Sequence, residues 1–173
     1  MCWPFAGFNH HVLDGVLVST VLFIAIYMLS LSRLKDKYYY FDPKHNQDDR
    51  LKDAGDFSPH FQRYCDLAKL MITLSVAAMA FLFNGVASPK PVNEFSARIT
   101  DVAPIVVGLF GSATACLMAF IFCETNFYEV YCHTPDHSSY TRWKYALCIT
   151  FAITGCGAFL LGFLWLAINT FSY

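Results

Sequence analysis

The amino-acid sequence predicts an all-α integral membrane protein, a four-transmembrane-helix bundle with a short helical collar on its cytosolic side. The first observation is composition: 56 % of the 173 residues are hydrophobic and 14 % are charged, more apolar surface than a soluble core of this length can bury. The second is that four segments stay apolar over about 20 residues, the length of helix that crosses a bilayer. They are 12–32, 67–87, 102–123 and 145–171. With the cytosolic loop 33–66 they should form a single membrane domain over 1–173.

The first span carries a carboxylate, Asp14, in its opening turn. A charge is tolerated at the membrane interface and costs much more at mid-depth. No lysine or arginine precedes the span, so it lacks the charged start of a cleavable signal peptide. We therefore expect the first span to remain in the mature protein.

The second helix should begin before its apolar part. Ser58 followed by Pro59 is typical of a helix N-cap and first helical residue, about two turns ahead of Leu67. Pro89 and Pro91 end the helix on the other side, because proline lacks the backbone N–H that a helix interior uses. This helix should therefore project from the bilayer.

The third and fourth helices should project on the same side. Asp101 can cap the third helix, with Pro104 in its first turn. No helix-breaking residue lies between Cys123 and Pro135, so the third helix should continue past its apolar part. The fourth helix should start near 136–139. Three helices would then share a collar outside the bilayer.

Basic residues place the collar in the cytosol by the positive-inside rule. Ten lie in or beside the first and third loops, two lie in the second loop, and neither terminus has any. The ten are Arg33, Lys35, Lys37, Lys44, Arg50, Lys52, Arg63, Lys69, Arg142 and Lys144, and the two are Lys90 and Arg98. Both termini should therefore lie on the non-cytosolic side.

Small residues recur in the third and fourth spans at spacing four, which lets helix backbones approach closely in lipid. The rows are Gly108/Ser112/Cys116 and Gly111/Ala115/Ala119 in the third helix, and Ala152/Cys156 and Ala158/Gly162 in the fourth. We expect these two helices to form the tightest pair. The rows serve either as packing within one bundle or as an interface between copies; the interface candidates are Gly108, Gly111, Ser112, Ala115, Cys156, Ala158 and Gly162.

Residue types that bind metals occur in two groups outside the spans, one at the outer end of the first helix and one in the collar. They are His10 and His11, and Cys132, His133 and His137. Imidazole and thiolate are ligands of zinc and copper, but neither spacing completes a known metal-binding pattern. Solvated loop residues are the competing interpretation, and we predict no cofactor.

The span interiors carry hydroxyl and amide groups but no ionisable side chain at mid-depth. Proton relays and ion-coupled transporters usually need such a side chain, so coupled transport is disfavoured. The hydroxyls can line a path between assembled copies or donate to their own helix backbone, and for serine and threonine we expect the second. The residues are Ser19, Thr20, Thr73, Ser75, Asn84, Ser112, Thr114, Thr150, Thr154 and Asn169.

These patterns favour a non-enzymatic membrane module that acts through oligomeric assembly, as a pore, a sensor or a membrane-perturbing effector, the class that includes effectors of bacterial immunity. Loop 33–66 mixes both charge signs and is the best docking surface for a cytosolic protein. One alternative is an accessory subunit of a larger membrane complex. Another is a membrane enzyme acting at the inner interface, which would need two of its candidate residues in one pocket. These residues are Glu124, Glu129, His133 and His137.

The stretches DLAKLMITLS and FLLGFLWLAI resemble those of small bacterial four-span membrane proteins without an assigned activity. The resemblance implies a bacterial inner membrane and brings no catalytic residue with it. A formal net charge of −1 gives no basis for a nucleic-acid partner, because phosphate-binding surfaces carry a basic excess.

Overall fold

The computed structural model of the chain describes residues 6–34, 57–87, 94–133 and 142–171, with side chains over 11–34, 62–84, 97–126 and 142–170. Over these residues the fold is all-helical. Its helices are α1 (Ala6–Arg33), α2 (Phe57–Ala87), α3 (Glu94–His133) and α4 (Arg142–Phe171). The parts long and apolar enough to cross a membrane are His11–Arg33, Gln62–Asn84, Ala97–Asn126 and Arg142–Thr170. The prediction of four apolar helices of spanning length is confirmed, and such helices contact lipid.

Two of the predicted helix extensions are confirmed. α2 begins at Phe57, ten residues before the apolar part that starts at Leu67. α3 continues to His133, ten residues beyond Cys123. The predicted start of the fourth helix at 136–139 lies outside the described residues, which resume at Arg142.

The predicted start of the third helix is wrong. α3 begins at Glu94, so Asp101 is an interior residue and not a cap, and Pro104 lies inside the helix. An interior proline removes a backbone hydrogen bond and costs about 3 kcal/mol in a soluble helix. Here Ala103 and Pro104 are both buried, and membrane helices tolerate proline where neighbouring groups satisfy the freed backbone. Packing between helices therefore outweighs the local preference of Asp101 and Pro104 for the start of a helix.

α3 is the central helix, because over the described residues it has extensive contacts with all of the other three, whereas α4 contacts α2 only slightly. The α3–α4 pair shares the most extensive contact, as the small-residue rows predicted. α1 packs against both α3 and α4, whereas α2 packs mainly against α3 and touches α4 only slightly. α1 and α2 barely meet over the described residues. The four helices therefore do not form a ring in which each helix packs against the next one in the sequence.

Buried apolar residues form two clusters at different depths. The first joins α2, α3 and α4 and consists of Ala68, Met71, Leu117, Phe120 and Cys148. The second joins α2 and α3 and consists of Leu82, Ile99, Ala103, Val106, Val107 and Phe110. Within lipid these contacts contribute mainly through close packing, since lipid tails are as apolar as the side chains themselves.

The large apolar residues on the outer surface of α1 are exposed, including Leu13, Leu17, Val21, Ile24 and Met28. In a soluble protein an apolar surface of this size would mark an interface or an aggregation hazard. On a membrane helix it is the surface that meets lipid.

Candidate functional site

The small-residue row that includes Gly108 and Ser112 packs inside the protomer, against α1. A Cβ atom added to Gly108 would lie 2.4 Å from the carbonyl oxygen of Val12, and one added to Gly15 would lie 2.5 Å from that of Ile105. Neither backbone atom can move away cheaply. Gly15 and Gly108 therefore let α1 and α3 approach through their backbones, a contact that the sequence prediction assigned to other helices.

The small residues of α4 also pack inside the protomer. Ala158 is fully buried, and a Cβ atom added to Gly162 would lie 2.8 Å from the ring of Phe110. That ring packs edge-on against Phe163, with 4.9 Å between ring centroids. Cys156 points its sulfur toward the sulfur of Met71 on α2, 3.8 Å away. These positions are occupied by packing within one chain.

Gly111 and Ala115 differ from Gly108, Ala158 and Gly162 because the described helices leave them at least partly open. A Cβ atom added to Gly111 would meet nothing within 4 Å, and Ala115 is exposed. Met118 and Phe122 continue the same helical face and are 60 % and 72 % exposed. We call Gly111, Ala115, Met118 and Phe122 the open face of α3.

The position of the open face follows from helix periodicity. Gly108 and Ser112 lie on the side of α3 that faces α1, and Val107 lies on the side that packs with Leu82 of α2. The open face lies between these two sides. Over the described residues α1 and α2 barely meet, so they leave this face uncovered except at Ala115, which also lines the cavity between α1, α3 and α4 described below.

Five of the eight serine and threonine hydroxyls predicted to bond to their own helix do so, which confirms that prediction for these five, and the Asn169 amide makes the same kind of bond. The six donate to the carbonyl four residues earlier: Ser19, Thr20, Thr73, Ser112, Thr150 and Asn169. The side-chain oxygens of Ser75, Thr114 and Thr154 are buried without a hydrogen-bond partner. Ser75 and Thr154 are 0 % exposed. The described part of the protomer interior therefore offers scattered hydroxyls and no continuous polar lining.

A cavity of about 320 Å³ lies where α1, α3 and α4 meet. Its lining is Ser19, Thr20, Phe23, Ser112, Ala115, Cys116 and Phe151. The three hydroxyls in this lining donate to carbonyls of their own helices, so they have no hydrogen left to offer a ligand. The cavity is thus apolar in character, and it does not support an aqueous path through the protomer.

Glu124 is a partly buried carboxyl on α3, nine residues before the helix ends at His133, on the side of the bundle where α1 finishes and α4 begins. We call this end the basic end, after Arg33 and Arg142. The thiol of Cys148 on α4 donates to Glu124 Oε1 over 3.3 Å. Cys148 is 2 % exposed and Cys65 of α2, also nearby, is 5 % exposed. Sequence reasoning listed Glu124 as a collar residue and missed its thiol partner, which only the pairing of α3 with α4 brings close.

Arg142 makes a second contact that the sequence did not signal. Its guanidinium donates to the carbonyl oxygen of Leu31, near the end of α1. The last carbonyls of a helix lack intrahelical donors, and a basic side chain is a favourable partner for them. This contact joins the beginning of α4 to the end of α1.

The candidate metal ligands fall mostly outside the part of the chain whose side chains are described. Only His11 is within it, and its Nδ1 lies 3.3 Å from Oδ2 of Asp14 in an exposed pair. The side chains of His10, Cys132 and His133, and the whole of His137, lie outside, as does the side chain of the enzyme candidate Glu129. Among described residues, no three histidine, cysteine, aspartate or glutamate side chains are grouped so as to hold a metal ion.

Comparison with known proteins identifies no relative: no family model, no curated protein and no solved structure matches the chain.

Proposed function

We propose that the chain is a non-enzymatic membrane module that works by assembling with other copies of itself through the open face of α3. The observation that carries this proposal is the empty space beside Gly111. Of the small-residue positions noted in the sequence, Gly108, Gly162 and Ala158 pack within the protomer, whereas among the described residues none lies beside Gly111 and Ala115 is exposed.

The spacing of the two residues suits association between helices. Gly111 and Ala115 are four residues apart, the arrangement that lets two membrane helices approach through their backbones. α1 and α2 flank the open face without meeting, so a second helix has room to approach α3. A two-fold axis perpendicular to the membrane would bring two open faces together, and such two-fold dimers are the commonest oligomers.

Replacing Gly111 with leucine tests the proposal. The new side chain projects into open space, so the protomer should fold as before, while the added bulk holds a second α3 away. We expect the wild-type protein to crosslink as an oligomer in native membranes and the Gly111→Leu variant to be monomeric. Ala25→Leu adds similar bulk to an exposed position of α1 and should leave the oligomer intact. A monomeric wild-type protein, or an unchanged oligomer in Gly111→Leu, would contradict the proposal.

The accessory-subunit alternative uses the same open face for a helix of a different protein. Purification from native membranes under mild conditions distinguishes the accessory subunit from the self-assembling module. Co-purification with larger membrane proteins at fixed stoichiometry favours the subunit, whereas a particle made of this chain alone favours self-assembly.

A self-assembling module could be a pore, a sensor or a membrane-perturbing effector, and one experiment separates the sensor from the other two. Because the hydroxyls lining the cavity are engaged by their own helices, an aqueous path would have to run between protomers. Liposomes containing the protein should then show conductance or dye leakage that Gly111→Leu abolishes. Intact liposomes at the same protein content, with and without a cytosolic extract to supply a partner for loop 33–66, would favour a sensor.

The proposed location is a bacterial inner membrane with both termini on the non-cytosolic side. The uneven distribution of basic residues supports this orientation. A reporter enzyme that is active only outside the cytosol, fused after Tyr173, should be active. Activity of a cytosol-specific reporter at the same position would reverse the assignment.

A further inference from the structure

Glu124 stands where three helices meet at the basic end. It is the first charged residue after the apolar run 102–123 of α3. Its carboxyl accepts the thiol hydrogen of Cys148, a member of the first apolar cluster, which ties α3 to α4. Cys65 of α2 lies close enough to Glu124 to interact with it electrostatically. The carboxyl therefore lies at the end of the first apolar cluster, near the predicted membrane surface.

Among the described side chains, three thiols interact with Glu124: Cys65 from α2, Cys148 from α4, and Cys123, the residue before Glu124 in the chain. Lys69 on α2 forms an exposed ion pair with Asp66 over 3.4 Å. Among the described side chains, no lysine or arginine pairs with Glu124. A partly buried carboxylate without a cation is costly, whereas a neutral carboxyl keeps the same hydrogen bond at lower cost.

We propose that Glu124 is a pH-sensitive contact that keeps the basic ends of α2, α3 and α4 closed over Cys65 and Cys148 while it is protonated. Ionisation favours fuller hydration of the carboxylate, and water reaches the oxygen that faces Cys148 only if these helix ends separate. The contact lies within one protomer, so the inference does not rest on self-association. Its position at the membrane edge leaves it open to exchange of protons with the aqueous phase.

The two buried thiols are native reporters of this opening. Full-length protein in lipid vesicles would be treated with a thiol-specific reagent at several values between about pH 5 and pH 8, and labelling at each cysteine measured by mass spectrometry. Thiol reactivity itself increases with pH, so labelling of Cys148 is divided by that of Cys156, a partly buried thiol away from Glu124. We expect this ratio to rise about fivefold or more with pH in the wild-type protein, the change in population that a shift of roughly 1 kcal/mol produces.

Glu124→Gln is the matched variant, because the amide keeps an oxygen that can accept from Cys148 and cannot ionise at these pH values. Its labelling ratio should stay constant over the same range. A ratio in the wild-type protein that does not change with pH would overturn the proposal, and so would a variant that responds as the wild type does.

A second variant keeps the proposal testable if Glu124→Gln does not fold. Cys148→Ser retains a donor facing Glu124, and labelling of Cys65 relative to Cys156 then reports the opening. We expect this ratio to rise with pH. If the Cys65 to Cys156 labelling ratio in Cys148→Ser does not change with pH, the proposal is overturned, just as it is by a Cys148 to Cys156 ratio that does not change in the wild-type protein.

Discussion

At the scale of single residues, the hydroxyl groups of the spans separate into two kinds. Thr150 donates to the carbonyl of Ala146 over 2.6 Å, whereas Thr154, one turn later and equally buried, has no partner. A buried hydroxyl without a partner is destabilising, because it has lost water and gained nothing in return. The two threonines therefore form a matched pair for mutation.

Thr154→Val should stabilise the protein by about 1 kcal/mol, since valine keeps the shape and removes the unpartnered polar atom. Thr150→Val removes a hydrogen bond as well as a hydroxyl, and should be neutral or destabilising. Reversible unfolding in detergent micelles measures both changes. A destabilised Thr154→Val would mean that the hydroxyl has a partner, such as a buried water molecule.

At the scale of helices, the glycines of α3 make different contacts although they lie only three residues apart. Gly108 meets the backbone of α1, and Gly111 meets empty space. From the sequence alone the two belong to equivalent rows, because spacing four describes a helix face and not the helix that covers it.

Gly108→Ala should therefore destabilise the protein by about 2 kcal/mol, because the added carbon overlaps a carbonyl oxygen of a packed backbone. Gly111→Ala should be neutral or slightly stabilising, since alanine fits the space and favours the helix. The free energy of unfolding of the two variants, measured under identical conditions, checks this prediction. Equal effects of the two substitutions would show that α1 does not approach α3 as described.

At the scale of the whole molecule, hydropathy was enough to predict the four helices that the structure describes, and the Ser58–Pro59 pair predicted the start of α2, at Phe57, to within two residues. These features depend on local sequence. The interior position of Pro104, the contact of Gly15 with Gly108 and the pairing of Glu124 with Cys148 depend on which helices become neighbours. Gly15 and Ser19 are four residues apart and so have the small-residue spacing, but the sequence around them does not indicate that α3 is the helix they pack against.

The unequal burial of the helices gives a prediction for the whole fold. Within the most apolar window of each helix, 11 % of α1 is buried, compared with 33 % for α3 and for α4. α1 should therefore separate more readily than the other two. In detergent, hydrogen exchange at backbone amides should be faster in the middle of α1 than in the middle of α3 or α4. Equal protection would imply that another surface, such as a second copy, covers α1.

The contact between Gly15 and Gly108 also bears on biosynthesis. The two residues are 93 positions apart in the chain, and all of α2 lies between them. Over the described residues α1 and α2 have almost no surface in common, so we expect neither to stabilise the other when both have been synthesised. The nascent chain should then hold two separate helices until α3 follows and gives both a neighbour. A ribosome-bound chain that stops after α2 should thus be sensitive to quality-control proteases, and one that includes α3 should become resistant.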